Sequence, residues 1–129
     1  MNDRKDVVVV EDNIHVRDSI QHLLEYAGFA CRMFDCAESF LATEVGEPCL
    51  CLFDFRLPGL SGLDLLEFIR KEGHDFPVIL MSGNFDSVTN EKVADLGVVT
   101  CLQKPFRPDD FFQTVERLTQ QATRSQTGQ

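Results

Sequence analysis

Four groups of chemically capable side chains stand at the ends of four separate apolar runs. Asp54 closes Cys49-Leu50-Cys51-Leu52-Phe53, and Glu11-Asp12 follows Val7-Val8-Val9-Val10. Ser82 follows Val78-Ile79-Leu80-Met81, and Lys104 follows Val98-Val99-Thr100-Cys101-Leu102-Gln103. Carboxylates brought together repel one another and raise each other's pKa. A hard divalent cation relieves that repulsion, and a few carboxylate oxygens plus water make a Mg2+ site. A cation between carboxylates and an incoming phosphoryl group is a device for phosphoryl transfer, where the protein mainly positions groups and neutralises charge. In that chemistry Asp54 is the nucleophile that forms an acyl phosphate. Lys104 offers a point charge to a phosphoryl oxygen, and Ser82 offers a hydroxyl donor. Each residue alone has a plainer reading: a strand-end Asp as a helix cap or loop residue, Lys104-Pro105 as a turn, Ser82-Gly83 as a loop. Their joint placement is what points to a site.

The elements that must hold these groups alternate strand and helix five times. Val7–Val10 is a continuous β-branched run, as in a strand covered on both faces. Asn13 can cap the next helix, whose apolar stripe is Ile20, Leu23, Leu24 and Ala27 and whose stop is Gly28. Phe29–Phe34 is a weaker strand, and Ala37–Val45 a short helix with Phe40 and Leu41 inward. Cys49–Phe53 is the third strand. Pro58-Gly59 makes a turn, and Ser61 can cap a helix that faces inward through Leu65, Leu66 and Ile69 and ends at Gly73. Phe76–Met81 is the fourth strand. Asp86–Leu96 reads as a helix with few apolar residues, ended by Gly97. Val98–Leu102 is the fifth strand. Pro108 suits the first position of the last helix, with Asp109 and Asp110 in its first turn and Phe111, Phe112, Val115 and Leu118 inward.

Right-handed crossovers turn this alternation into an α/β fold, a (βα)5 flavodoxin-like doubly wound parallel sheet. Its common strand order is 2-1-3-4-5, with the switch point between strands one and three. Those strands end in Asp12 and Asp54, so the two carboxylates are expected to face each other across the ligand crevice.

The whole chain sets further bounds. Its 129 residues suit one domain, and 43% hydrophobic with 26% charged residues is ordinary globular composition. The net charge of −9 argues against nucleic acid bound by this segment, since phosphate contacts need clustered Lys and Arg. No run approaches the roughly 20 apolar residues of a membrane helix. The start, Met-Asn-Asp-Arg-Lys-Asp, has no signal-peptide character, so the expected location is cytoplasmic. Cys31, Cys36, Cys49, Cys51 and Cys101 are an odd set without a Cys-x-x-Cys pair, and read as small hydrophobes. Cys49 and Cys51, two apart, are expected on one strand face.

The motifs Val-Val-Glu-Asp-Asn at 9–13, Leu-Phe-Asp-Phe-Arg-Leu-Pro-Gly-Leu-Ser-Gly at 52–62, Met-Ser-Gly at 81–83 and Lys-Pro-Phe at 104–106 resemble a response regulator receiver domain, the phosphoacceptor module of two-component signalling. The resemblance covers roughly residues 5–120. The run Cys36–Leu41 with Lys104–Phe106 is most similar to FixJ-type receivers, which often precede a helix-turn-helix DNA-binding domain. It implies a phosphoacceptor at Asp54, supplied by a sensor histidine kinase or a phosphotransfer protein. It implies Mg2+ held by Glu11, Asp12, Asp54 and the backbone carbonyl of Arg56, with Glu11 acting through water. It implies phosphoryl contacts from Ser82 and Lys104, a cis Lys104-Pro105 peptide, and turn glycines at Gly59 and Gly62. Residues 1–120 are then the receiver domain. Residues 121–129 are a polar tail or a linker to an output domain outside this chain, and dimerisation on phosphorylation is one state open to it.

The chain departs from the pattern in two places. Position 11 is Glu where Asp is commoner. Cys101 stands where the family usually carries Tyr or Phe, and it cannot sweep an aromatic ring's volume. Activation is therefore expected to reorder the Gly83–Ser87 loop, with Phe85 replacing the missing ring. Two other classes remain. A haloacid-dehalogenase-type phosphatase needs a second Asp two residues after the nucleophile, where this chain has Arg56. A phosphorylation-independent interaction module on the same fold would usually have lost these site residues. The chain is thus read as a signalling protein with self-phosphorylation and self-dephosphorylation and not as an enzyme acting on other molecules.

Overall fold

The computed structural model describes residues 6–83, 87–97 and 99–126. Five strands and five helices alternate: β1 (Asp6–Val10), α1 (Ile14–Tyr26), β2 (Ala30–Phe34), α2 (Ala37–Leu41), β3 (Leu50–Asp54), α3 (Gly62–Lys71), β4 (Val78–Ser82), α4 (Ser87–Ala94), β5 (Val99–Gln103) and α5 (Pro108–Gln126). The strands form one parallel sheet in the order β2-β1-β3-β4-β5. This is the doubly wound (βα)5 arrangement that the sequence implies.

Side-chain alternation divides the core into two layers. Val8, Val10, Cys51, Phe53, Val78 and Leu80 meet Phe40 of α2, Leu66 and Ile69 of α3 and Val93 of α4. Val7, Val9, Leu50, Leu52, Ile79 and Met81 meet Ile20 and Leu24 of α1 and Phe111, Val115 and Leu118 of α5. The central strand β3 is buried along its whole length, which is why its sequence is apolar rather than alternating. Cys49 precedes β3 and packs with the layer of α1 and α5, whereas Cys51 lies in the opposite layer. The expectation that both share one face fails because Cys49 lies before the strand, where the two-residue alternation does not apply.

Local sequence chemistry sets the helix starts. The Asn13 side chain accepts from the amides of His15 at 2.9 Å and Val16 at 3.1 Å. Ser61 and Asp64 form a reciprocal capping box. Helix α2 stops at Leu41, short of the expected Val45, and Leu41 is exposed while Phe40 is buried. Adjacent positions on a one-and-a-half-turn helix point about 100° apart, so only one of them can face the sheet. Of the expected fourth helix, Asp86 lies outside the described residues and Leu96 falls beyond its end. The expectation for Phe85 also lies outside the described residues, as does Val98 of the expected fifth strand. The stretch from residue 121, expected as a polar tail or linker, continues α5 as far as Gln126.

Two glycines near the third strand do different work. Gly59 turns the chain with φ +78°. Gly62 is not a turn residue. Its amide donates to the Phe55 carbonyl at 3.0 Å, and a Cβ there would collide with the Asp54 carbonyl oxygen. The start of α3 can press beneath Asp54 only without a side chain. Gly62→Ala is therefore expected to cost about 3 kcal/mol, because backbone must move. Gly59→Ala is expected to cost about 1 kcal/mol, the left-handed penalty. Urea denaturation of the two variants measures both, and an equal loss would contradict this assignment.

Candidate functional site

Parallel register brings the site together. Val10 pairs with Phe53 across β1 and β3, so Glu11 and Asp54 leave the sheet side by side. Asp54 pairs with Met81, and Ser82 with Gln103. The residue after each of those partners carries chemistry: Ser82 after Met81 and Lys104 after Gln103. The Lys104 amide donates to the Ser82 carbonyl at 2.7 Å, which fixes the root of the lysine. All four sequence-expected strand ends thus lie at one edge.

Glu11 is 1% exposed and Asp54 6% exposed, while Asp12 is open to solvent. Oxygens of Glu11, Asp12 and Asp54 all lie within 4.8 Å of one another. The Lys104 ammonium donates to Glu11 Oε1 at 2.8 Å and to Asp54 Oδ1 at 3.2 Å. Burial pushes the Asp54 carboxyl up to about 6, the Glu11 charge adds to the rise, and Lys104 together with the Arg56 amide pulls it back. Burial alone would lower the Lys104 amine. Its hydrogen bond to Glu11 and the charges of both carboxylates reverse this and hold it above its ordinary value.

Three carboxylates against one contacting amine leave an excess of negative charge. A hard divalent cation fits such an all-oxygen donor set. Glu11, Asp12 and Asp54 are the carboxylates that could hold it. Arg56 reaches the site through its backbone amide, which bonds Asp54, and its side chain is exposed.

The sequence reading missed two braces. Arg17 Nη1 donates to the Glu11 carbonyl at 2.9 Å, and the Asn13 amide donates to Glu11 Oε2 at 3.1 Å. An arginine one turn beyond the Asn13 cap was the only available signal, and its target depends on how α1 leaves the sheet. His15 is exposed. It borders a cavity of about 510 Å³ with Val16, Lys104 and Phe106. Ile14 is 55% exposed. Cys101 is half-buried against the layer of α2, α3 and α4. The Lys104-Pro105 peptide is cis.

The response regulator receiver domain model matches residues 7–116. The chain belongs to the response regulator receiver family. It is 34% identical over 123 residues to the transcriptional regulatory protein FixJ of Bradyrhizobium diazoefficiens, a match covering 95% of this chain and 60% of that protein. A crystal structure of full-length FixJ from B. japonicum superposes with a TM-score of 0.81 at 33% identity, over 92% of this chain and 59% of that one. A CheY-like receiver domain protein from Methanospirillum hungatei gives a TM-score of 0.87 over 95% of this chain and 98% of that one. At 24% identity it speaks for the fold alone. The chain is thus a FixJ-like receiver of two-component signalling, and it spans about half to three fifths of the FixJ proteins it matches. No helix among the described residues of this receiver is long and apolar enough to cross a membrane.

The raised Asp54 pKa has a consequence for stability. A carboxyl that titrates near 6 when folded and near 3.8 when unfolded binds its proton more tightly in the native state. Metal-free stability therefore falls as pH rises from about 4 through 6. Asp54→Asn removes that loss and leaves Lys104 its Glu11 partner. The variant is expected to be more stable than wild type by about 2 kcal/mol at pH 7.5, with the gap narrowing to about a third of that at pH 4.5. Denaturation in EDTA at the two pH values checks this. A gap that is absent or independent of pH would show that Asp54 carries no such cost.

Proposed function

We propose that Asp54 accepts a phosphoryl group from a phosphohistidine on a sensor histidine kinase or phosphotransfer protein, and that the acyl phosphate controls an output domain outside this chain. The observation that carries the assignment is the convergence of Asp54 with Glu11, Asp12 and Lys104 at one sheet edge. Membership of a family of signalling phosphoacceptors supports the same reading.

An Asp54 carboxylate oxygen bonds to phosphorus. The phosphorus–nitrogen bond breaks, and the histidine nitrogen keeps the electron pair. Asp12 and Asp54, with Glu11 through water and the Arg56 carbonyl, would hold Mg2+. When bound, the ion supplies positive charge against the phosphoryl oxygens. Lys104 pairs with one phosphoryl oxygen, and its anchored backbone keeps the amine in reach. Ser82, at the end of the neighbouring strand, donates to another. Self-dephosphorylation is attack of water on phosphorus, which returns the Asp54 carboxylate. The exposed Arg56 side chain partly screens that approach.

The output is transcription, by analogy with the regulators to which the chain is similar, through a DNA-binding domain that this segment does not contain. The segment itself binds no nucleic acid, lies in the cytoplasm, and can pair with a second copy when phosphorylated.

Incubation with acetyl phosphate and magnesium, followed by intact-protein mass spectrometry, tests the assignment. A single magnesium-dependent phosphoryl adduct is expected on wild type and none on Asp54→Asn. An adduct that persists on the variant would move the acceptor elsewhere. No adduct on either protein, with phosphoramidate as a second donor, would favour a phosphorylation-independent interaction module.

A further inference from the structure

We infer that Arg17 is a positioning residue for Mg2+: its side chain fixes the peptide that leads into Asp12 and so holds the Asp12 carboxylate beside Glu11 and Asp54. The inference rests on the metal site of the phosphoacceptor reading and names the residue that pre-forms it.

Asp12 is exposed, so packing does not place its carboxylate. Its backbone does. A residue between two planar peptides has only two soft dihedrals, and holding both planes fixes them. The Glu11–Asp12 peptide is held through its carbonyl, which accepts from Arg17 Nη1 at 2.9 Å. The Asp12–Asn13 peptide is held through its amide, which donates to Glu11 Oε2 at 3.1 Å. Arg17 grips the turn a second time, since its own amide donates to the Asn13 carbonyl at 2.9 Å. One residue of α1 therefore holds the carbonyls on both sides of Asp12.

The turn needs this hold. Strand β1 ends at Val10, so the Glu11 carbonyl lies beyond the ladder and takes its donor from a side chain. Charge works against the turn as well. Oxygens of Glu11, Asp12 and Asp54 lie within 4.8 Å of one another, and like charges repel. Of these carboxylates Asp12 is the one that can swing into solvent, since Glu11 and Asp54 are buried. A turn held at both peptides resists that swing, so the ion meets ligands that are already ordered.

Arg17 acts through the backbone and not through its charge, and the sign of its effect separates the two. A positive charge beside a cation site weakens cation binding. If charge were the whole effect, removing Arg17 would tighten Mg2+. Removing a positioning residue loosens it, by about tenfold for groups that orient metal ligands.

Isothermal titration calorimetry of the full chain with MgCl2 alone, and no phosphodonor, tests this. Arg17→Met is expected to bind Mg2+ about tenfold more weakly than wild type. Arg17→Lys keeps the charge and one donor group, and its affinity is expected to fall between the two. Urea denaturation in EDTA shows whether each variant is folded. Mg2+ binding by folded Arg17→Met that equals or exceeds that of wild type would overturn the inference. If Arg17→Met does not fold, Arg17→Lys decides: weaker binding supports the inference and equal binding overturns it. A wild type that binds no Mg2+ would remove the metal site and this inference together. Unchanged binding in the variants would remove the inference alone, and adduct formation on Asp54 is measured separately.

Discussion

Two carboxylates held almost out of water share one amine, and much of the structure serves to keep that arrangement. Glu11 and Asp54 leave neighbouring parallel strands side by side, where their charges repel and neither can escape to solvent. A lone ionised carboxylate in such a place would take up a proton. Lys104 prevents this in part, and the Asp54 carboxyl still rises to about 6. The site therefore sits in an unrelieved state. A hard cation held by the carboxylates would relieve it.

That tension is sustained by rigid surroundings. Each strand end is braced at the backbone: Glu11 by Phe34 and Arg17, Lys104 by Ser82, and Phe55 by Met81. Gly62 lets α3 come up under Asp54 with no intervening side chain. The two layers of core on either face of β3 fix the register from which these contacts follow. A site built on strand ends can be strained electrostatically because a large apolar core, and not the site itself, holds the chain in place.

Cys101 is half-buried against the layer of α2, α3 and α4, and α4 contributes only Val93 to the buried core among the described residues. At the other end, Glu11 reaches Lys104 and is tied through Asn13 to α1.

The strand ends bearing Glu11, Asp12, Asp54, Ser82 and Lys104 were legible because buried parallel strands read as apolar runs, and a polar residue that ends one marks the sheet edge. The strand order followed from the alternation and the handedness of crossovers. The caps at Asn13 and Ser61 were legible because capping is local chemistry over three residues. Other features were not local. The true span of α2 and the outward turn of Leu41 depended on which side of a short helix met the sheet. The placement of Cys49 depended on where β3 begins. Gly62 read as one more turn glycine, because its neighbour, the carbonyl of Asp54, lies across a fold in the chain. The sequence by itself determined which residues form the site and the topology that gathers them. Only the tertiary structure decided that the Glu11 carboxylate lies closer to Lys104 than Asp54 does, because that ordering depends on a few tenths of an ångström in strand register and side-chain reach.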